Sequence, residues 1–190
     1  MRAFIAIELP GEIKDFLSRA QERLKTSAAD VKWVEPENIH LTLKFLGEID
    51  DKKLNKILRI IEDLANGRDA FSMRLSSIGA FPKIDFPRVI WVGIDKGERE
   101  TEEIAKGLEE RIAKIGIPKE KRPFSSHITI GRTRSTLNRE KLVQELFKLR
   151  DGFGRENLEF PVTKITLFKS TLTPAGPNYQ VLKEASLKTA

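Results

Sequence analysis

The chain contains only two histidines, and each of them opens the same four-residue pattern. The two copies, HLTL at 40–43 and HITI at 127–130, share the order histidine, apolar residue, threonine, apolar residue. Chance alone rarely places both histidines of a chain in one frame. Histidine is also the side chain whose ordinary pKa lets it give or take a proton near neutral pH. The repeat therefore predicts a symmetric acid/base pair.

The alternation within each tetrapeptide is the period of a half-buried β-strand, whose successive side chains point to opposite faces. His40 and Thr42 are therefore expected on one face, with the leucines between them in a core, and His127 and Thr129 repeat this arrangement. Two such strands side by side would line a cleft with two imidazoles and two hydroxyls. Imidazoles transfer protons, and hydroxyls donate hydrogen bonds to the oxygens of an anion.

The two copies lie 87 positions apart, which is nearly half of the 190 residues. Each is followed by a segment with helical spacing, so we expect an internal duplication within a single bilobal domain spanning 1–190. The expected fold class is α+β, with two pseudo-symmetric lobes of mainly antiparallel sheet, outer helices and a cleft between the lobes. The alternative is one sheet in which the repeat is a coincidence.

Hydrophobic periodicity predicts the elements along the chain. Strands are expected over residues 2–9, 31–34, 40–46, 71–80, 88–94, 126–131, 160–172 and 179–185, with the prolines at 82 and 87 in a loop. Helices are expected around residues 13–24, 54–64, 104–115 and 142–147. The second of these should begin near Asp50 and end at Gly67, and the third should end at Gly116.

Composition narrows the class of protein. A net charge of +6 suits a polyanion such as RNA, although many basic proteins bind none. The absence of cysteine excludes disulfides, a thiolate nucleophile and a zinc knuckle. The apolar run at the start is too short for a signal peptide and no stretch is long enough for a membrane span, so we expect a cytoplasmic protein without a membrane partner. Abundant Lys, Arg and Glu with three Gln are typical of thermophile proteins.

Four segments carry a family resemblance: RAFIAIELP at 2–10, VKWVEPENIHLTLKFLGEID at 31–50, PFSSHITIGRT at 123–133 and LFKSTLTPAGPNYQVL at 167–182. They resemble the two-histidine phosphoesterase superfamily, and within it the RNA 2′,3′-cyclic phosphodiesterases, historically called 2′-5′ RNA ligases. The resemblance implies a bilobal fold and a site without metal or cofactor. It also implies opening of a terminal RNA 2′,3′-cyclic phosphate to a 2′-phosphate, with 2′-5′ ligation as the reverse reaction. The partner would be RNA, tRNA fragments included.

The resemblance also implies roles for single residues. His40 would be the proton donor and His127 the proton acceptor, while Thr42 and Thr129 would hydrogen-bond the non-bridging phosphate oxygens. Arg132 would help to hold phosphate. Simple alternation puts Arg132 on the face opposite His127, so it reaches the cleft only if a bulge intervenes.

At one position the chain departs from its relatives, which often carry proline directly before the second histidine. Here that position is Ser126, and we expect a less rigid entry into the strand.

Several alternatives stay open from the sequence. Each histidine could be a hydrogen-bonded structural residue, and a histidine metal site lacks nearby Asp, Glu or Cys in ligand spacing. Lys44 shares the His40 face by alternation and would meet phosphate or, more often for a lysine, solvent. Four phenylalanines could stack a base or belong to the core: Phe45, Phe81, Phe86 and Phe124. The second function class is a catalytically silent RNA- or nucleotide-binding module, and the oligomeric state expected is a monomer.

Overall fold

One curled antiparallel sheet with helices packed on one of its faces forms the molecule. The structure is a computed structural model that describes residues 1–174 and 176–189. Its strands are β1 (Arg2–Glu8), β2 (Val31–Trp33), β3 (His40–Glu48), β4 (Phe71–Lys83), β5 (Phe86–Lys96), β6 (His127–Thr133), β7 (Glu159–Val162), β8 (Lys164–Thr173) and β9 (Gly176–Ser186). Its helices are α1 (Gly11–Lys25), α2 (Asp51–Asn66), α3 (Glu98–Ala113) and α4 (Arg139–Phe153). The α+β class is confirmed.

The order of strands across the sheet has a twofold pattern. The order is β7-β4-β5-β6-β3-β1-β8-β9, with β2 added beside β6. The two tetrapeptide strands, β6 and β3, are therefore neighbours at the centre, and three further strands extend outward from each of them. These two halves are the two lobes, and they are continuous in one sheet.

Two of the helices cross from one half to the other. Helix α1 follows β1 but packs against β6, and helix α3 follows β5 but packs against β3. Helices α2 and α4 instead cover the outer strands of their own halves. Each tetrapeptide strand is therefore covered by a helix that belongs to the other half of the chain.

The core lies between the sheet and the helices. The apolar residues of both tetrapeptides are buried there, at no more than 3% exposure: Leu41, Leu43, Ile128 and Ile130. Helix α2 shows how the local sequence sets an element, because the Asp50 side chain accepts a hydrogen bond from the Lys53 N–H at 2.7 Å and the helix ends before Gly67. Ile57 and Ile61 of the same helix face the core and are fully buried.

Two predicted boundaries differ from the structure. Pro82 and Pro87 lie inside strands β4 and β5, which form one long hairpin with its tip at residues 84–85. The predicted strand over 160–172 is two strands, because the chain leaves the β4 edge of one half at Thr163 and crosses to pair with β1 in the other. Neither crossing nor hairpin length is encoded in local periodicity.

The length and polarity of the helices also bear on membranes. Within the part of the chain that the structure describes, none is long and apolar enough to cross a bilayer.

Candidate active site

The two tetrapeptides are brought together at the centre of the sheet. Leu41 of β3 pairs with Ile128 of β6 in antiparallel register. If this register continues, His40 lies across from Thr129, and Thr42 lies across from His127. The two histidines are then diagonal neighbours on the same face. Such diagonal neighbours on one face lie about 7–8 Å apart. Since Leu41 and Ile128 are fully buried under the helices, the histidines and threonines lie on the opposite, open face.

Both imidazoles are held by the same hydrogen bond. The Nδ1 atom of His40 lies 2.6 Å from the backbone oxygen of Asn38, and that of His127 lies 2.7 Å from the backbone oxygen of Ser125. A carbonyl oxygen only accepts, so each Nδ1 carries a hydrogen and donates it. This bond fixes the tautomer, and in the neutral ring it leaves Nε2 as the atom that can exchange a proton.

The Nε2 atom of His40 also has a partner within its tetrapeptide, because it lies 3.0 Å from Oγ1 of Thr42. In the neutral imidazole Nε2 has only a lone pair, so the threonine hydroxyl donates to it. Protonation of His40 reverses this bond and frees the hydroxyl hydrogen of Thr42 for another acceptor.

Aromatic side chains enclose His40. The Phe4 ring stacks on the imidazole with centroids 4.8 Å apart, and Tyr179 meets it edge-on at 5.5 Å. Burial lowers the pKa of His40 below its ordinary value, the bond to Asn38 raises it, and the charge of Lys14 lowers it further. His40 is therefore neutral in the free protein at neutral pH.

His127 is less enclosed. Its ring meets Phe81 edge-on, with centroids 5.2 Å apart. Burial again lowers the pKa, the bond to Ser125 raises it, and the positive charge of Arg132 lowers it. A neutral imidazole with a free Nε2 is the state that a general base requires.

Arg132 reaches the histidine face through a β-bulge. Ile90 of β5 pairs with Gly131, but the next residue, Trp91, pairs with Thr129, so Ile130 is left unpaired. The extra residue reverses the alternation and turns Arg132 to the open side. There its side chain is exposed, and its charge acts on His127 and on Tyr179 across the cleft.

Lys44 does not share the face of His40, so both sequence interpretations of it are wrong. A bulge at Leu43 shifts the register, since Ile5 pairs with Lys44 while Ala6 pairs with Thr42. The Lys44 side chain is 1% exposed and places Nζ 2.7 Å from a carboxylate oxygen of Glu109 in α3. It is neither solvated nor available to phosphate.

The entry into β6 is held in place, contrary to the expectation from Ser126. This serine is buried, and its hydroxyl oxygen lies 2.6 Å from that of Thr101 in α3. The hydroxyl of Thr101 also bonds the backbone oxygen of Glu98. A hydrogen-bonded pair of hydroxyls thus immobilises the residue before His127.

The candidate stacking phenylalanines have different surroundings. Phe45 is 54% exposed on the histidine face, 6.3 Å from Phe4. Phe81 contacts His127, whereas Phe124 packs against the core. Phe86 lies at the hairpin tip, where the guanidinium of Arg139 covers its ring at 4.2 Å.

Sequence reasoning missed the aromatic residues around His40. Phe4, Phe168 and Tyr179 come from β1, β8 and β9, and they meet only because those strands pair across the sheet. The sequence offers one signal of this aromatic cluster, which is Phe4 within the alternating pattern of the first predicted strand.

A cavity of about 680 Å³ opens beside His40. Such a volume is in the range of small-molecule sites. Its wall combines aromatic groups with polar and charged side chains: Glu8, Lys14, Glu35, Glu37, Asn38, Phe168 and Tyr179. Within residues 1–174 and 176–189 no three His, Asp or Glu side chains converge as a set of metal ligands.

The chain is similar to known proteins along nearly its whole length. The profile of the family described as LigT like Phosphoesterase matches twice, over residues 7–91 and 92–179. The RNA 2′,3′-cyclic phosphodiesterase of Methanocaldococcus jannaschii is 41% identical over 97% of this chain and 99% of its own length. That of Aquifex aeolicus is 33% identical over 97% and 96%.

Solved structures show the same fold. The crystal structure of TT0787 of Thermus thermophilus superposes with a TM-score of 0.81 at 30% identity, over 98% of both chains. The crystal structure of E. coli LigT complexed with 3′-AMP gives a TM-score of 0.78 at 27% identity, over 98% of this chain and 97% of that one. The chain therefore belongs to the LigT-like phosphoesterases, the two-histidine family of the RNA 2′,3′-cyclic phosphodiesterases.

Proposed function

We propose that the protein hydrolyses the terminal 2′,3′-cyclic phosphate of RNA, with His40 and His127 as its two proton-transfer groups. The observation that carries this is the matched seating of the imidazoles, since each Nδ1 donates to a carbonyl oxygen two residues earlier. Each Nε2 is thereby left as the reactive atom on one open face. Two structural histidines would have no need of this arrangement.

The reaction needs a proton removed on one side of phosphorus and supplied on the other. Nε2 of His127 takes a proton from water, whose oxygen forms the new bond to phosphorus. The bond between phosphorus and the 3′ oxygen breaks, and Nε2–H of His40 protonates that oxygen. The phosphate stays on the 2′ oxygen. With a 5′-hydroxyl in place of water, the same steps make a 2′,5′ linkage.

The bound anion prepares His40 for this role. Its pKa is lowered in the free protein, and a phosphate charge beside the imidazole favours the protonated form. Protonation turns the bond to Thr42 around, so that Nε2–H donates and the threonine hydroxyl is free for a phosphate oxygen. Thr129 and Arg132 would stabilise the remaining phosphate oxygens, whose charge grows in the transition state.

The terminal nucleoside fits the cavity beside His40. That cavity of about 680 Å³ is walled by Phe168 and Tyr179 and opens on the imidazole that protonates the 3′ oxygen. E. coli LigT, with a similar fold, has been crystallised with 3′-AMP. RNA ends are the substrate class, with tRNA fragments among them as a prediction.

The test is turnover of an oligoribonucleotide that ends in a 2′,3′-cyclic phosphate. Replacing His40 or His127 with Ala should slow hydrolysis about 10²- to 10⁴-fold, because each proton transfer contributes on that scale. Thr136→Ala, in the exposed segment after β6, is a control for the substitutions. Near wild-type turnover by the double histidine variant would contradict the assignment, and so would a loss on EDTA treatment that one divalent ion restores.

Whether the product is the 2′- or the 3′-phosphate tests which histidine donates the proton and which accepts it. Phosphorus NMR, or resistance to a 3′-specific phosphatase, should identify the 2′-phosphate. A product that is mainly the 3′-phosphate would exchange the roles given to the two histidines.

A further inference from the structure

The indole of Trp91, on the histidine face of β5, packs flat against two glycines. Trp91 pairs with Thr129 of β6 on one side and with Gly79 of β4 on the other. A Cβ atom added to Gly79 would lie 2.6 and 2.7 Å from two carbons of the indole, and one added to Gly93 would lie 3.2 Å from a third. The ring therefore lies down on the sheet, over two residues that have no side chain to lift it.

Packing sets the orientation of the indole. Its Nε1–H is buried, and within the described part of the chain it has no hydrogen-bond partner. The Phe81 ring lies beside it at 5.2 Å and contacts His127 in turn. Trp91 is nonetheless partly exposed. Since Gly79 and Gly93 lie under the ring, its exposed part is on the open side of the sheet.

The first lobe has no counterpart to this indole. Ala6 pairs with Thr42 as Trp91 pairs with Thr129, so the equivalent position is a buried alanine. The aromatic side chains of the first lobe instead wrap His40 itself. Of the two threonines, Thr129 alone therefore has an aromatic residue as its outer cross-strand partner.

We propose that Trp91 is the stacking platform for the base of a second nucleoside, the one that presents its 5′-hydroxyl to phosphorus. This inference rests on the proposed function, in which the nucleophile enters beside His127, opposite the 3′ oxygen. A 5′-hydroxyl in the place of water carries its base past His127, towards the Phe81 ring and the indole next to it. Bases of every kind stack on aromatic side chains, so the platform recognises a nucleoside without selecting one base.

The chemistry of this second substrate balances without a cofactor. In cleavage of a 2′,5′ linkage, neutral His40 takes the proton of the 3′-hydroxyl as its oxygen bonds to phosphorus. The bond from phosphorus to the 5′ oxygen breaks, and protonated His127 supplies the proton that this oxygen needs. The products are the 2′,3′-cyclic phosphate and a free 5′-hydroxyl, and ligation is the same path reversed.

The kinetic test compares two substrates of the full chain: adenosine 2′,3′-cyclic phosphate, attacked by water, and a 2′,5′-linked diadenosine monophosphate. Trp91→Ala should lower the ratio of kcat/KM for the dinucleotide to kcat/KM for the cyclic phosphate roughly 10-fold, mainly through KM. Trp91→Phe should retain most of the ratio, and Gly79→Ala should lower it, because the added Cβ displaces the indole. An unchanged ratio in Trp91→Ala would overturn the proposal.

A binding test does not depend on turnover. The chain has two tryptophans, so a Trp33→Phe background leaves Trp91 as the sole indole. Adenosine added to that protein with saturating adenosine 2′-monophosphate should quench its fluorescence saturably. No quenching by adenosine would overturn the platform, and full quenching by the 2′-monophosphate alone would show that Trp91 stacks the terminal nucleoside instead. If the proposed function fails, the cyclic phosphate is not hydrolysed by the wild type, whatever the fluorescence shows.

Discussion

Leu43 and Ile130 hold the same position in the two tetrapeptides, and each is the bulged residue of its strand. Residue 43 is skipped where β3 pairs with β1, and residue 130 is skipped where β6 pairs with β5. The side chains that follow are consequently shifted by one position in both strands. The first residue after each bulge, Lys44 or Gly131, faces the helices, and the second faces the open side.

Each bulge is held by the helix that crosses from the other half. Gln21 of α1 donates its side-chain amide to the backbone oxygen of Ile130 at 2.8 Å, and to that of Val34 at the same distance. Glu109 of α3 binds the ammonium group of Lys44 at 2.7 Å. The two contacts use different chemistry at equivalent places, so each lobe depends on the other for the shape of its tetrapeptide strand.

Removal of the Gln21 amide should weaken both the fold and the placement of Arg132. In Gln21→Leu the backbone oxygen of Val34 loses a buried donor, at a cost of about 1–3 kcal/mol in the free energy of unfolding. KM for the cyclic phosphate should rise as the bulge at Ile130 loosens. Denaturant unfolding and steady-state kinetics measure the two effects. Gln144→Leu on the exposed side of α4 is the matched control and should change neither.

The buried ion pair of Lys44 and Glu109 predicts that replacing Glu109 destabilises the fold more than replacing Lys44 does. Side-chain exposure is 1% for Lys44 and 18% for Glu109. Without Glu109 the ammonium group therefore stays buried, with the Pro118 oxygen at 3.1 Å and Glu120 at 3.9 Å, whereas without Lys44 the carboxylate of Glu109 can turn to water. Glu109→Gln should therefore lower the free energy of unfolding by about 3 kcal/mol, and Lys44→Met by less. The double variant Lys44→Met with Glu109→Leu should recover stability. Glu22→Gln, in an exposed pair, is the control, and a larger loss in Lys44→Met than in Glu109→Gln would contradict the argument.

The sequence could predict the elements and the common face of the tetrapeptides because both follow from local period. His40, Thr42, His127 and Thr129 lie on one face as the alternation requires, although their catalytic roles stay predictions. The family and the α+β class are confirmed. That the halves descend from one duplicated unit stays a prediction, supported by the double match of the family profile.

Alternation failed where tertiary contacts set the register. Alternation predicts the wrong face for Lys44, because the bulge at Leu43 depends on β1 and α3, which are distant in sequence. Arg132 reaches the open face only because a bulge intervenes at Ile130. That bulge also depends on a contact distant in sequence, since Gln21, 109 positions away, binds the backbone oxygen of Ile130. The aromatic wall of His40 needed the pairing of β1 with β8, whose partners Phe4 and Phe168 no local pattern connects.

The pKa of His40 gives a prediction for pH. Burial is the main cause of its lowered pKa, and the charge of Lys14 lowers it further. Lys14→Met should therefore raise this pKa towards 6.5 without restoring it fully. A proton donor with a higher pKa stays protonated to higher pH. We therefore compare kcat/KM of the variant with kcat/KM of the wild type at each pH. Their ratio should be constant at pH values below both histidine pKa values and should rise as the pH increases above them.

The pH dependence of this ratio distinguishes an effect of Lys14 on the pKa of His40 from an effect of Lys14 on substrate binding. A lysine that acted only by attracting phosphate would lower kcat/KM by one factor at every pH. Lys25→Met, at the far end of helix α1, provides the control and should give a flat ratio. A flat ratio for Lys14→Met would mean that its charge does not act on His40.

Arg132 and Lys32 predict how salt affects binding of an RNA chain. The two residues are direct partners across β6 and β2 and are exposed on the same side of the sheet. The charge of Arg132 acts on His127, so we expect it to contact the scissile phosphate, whereas Lys32 lies one strand further out and is expected to contact the next phosphate along the chain. Each lost phosphate contact should flatten the plot of log affinity against log salt by about 0.7 on a single strand.

The two substitutions should therefore differ according to the ligand. Arg132→Gln should flatten the salt dependence for both a mononucleotide 2′-phosphate and an oligoribonucleotide product, whereas Lys32→Gln should flatten it for the oligoribonucleotide alone. Arg99→Gln, 80% exposed on helix α3, is the control and should leave both slopes unchanged. Equal slopes for wild type and Lys32→Gln on the oligoribonucleotide would mean that the RNA chain leaves the site by another path, because a phosphate beside Lys32 must release its counterion when it binds.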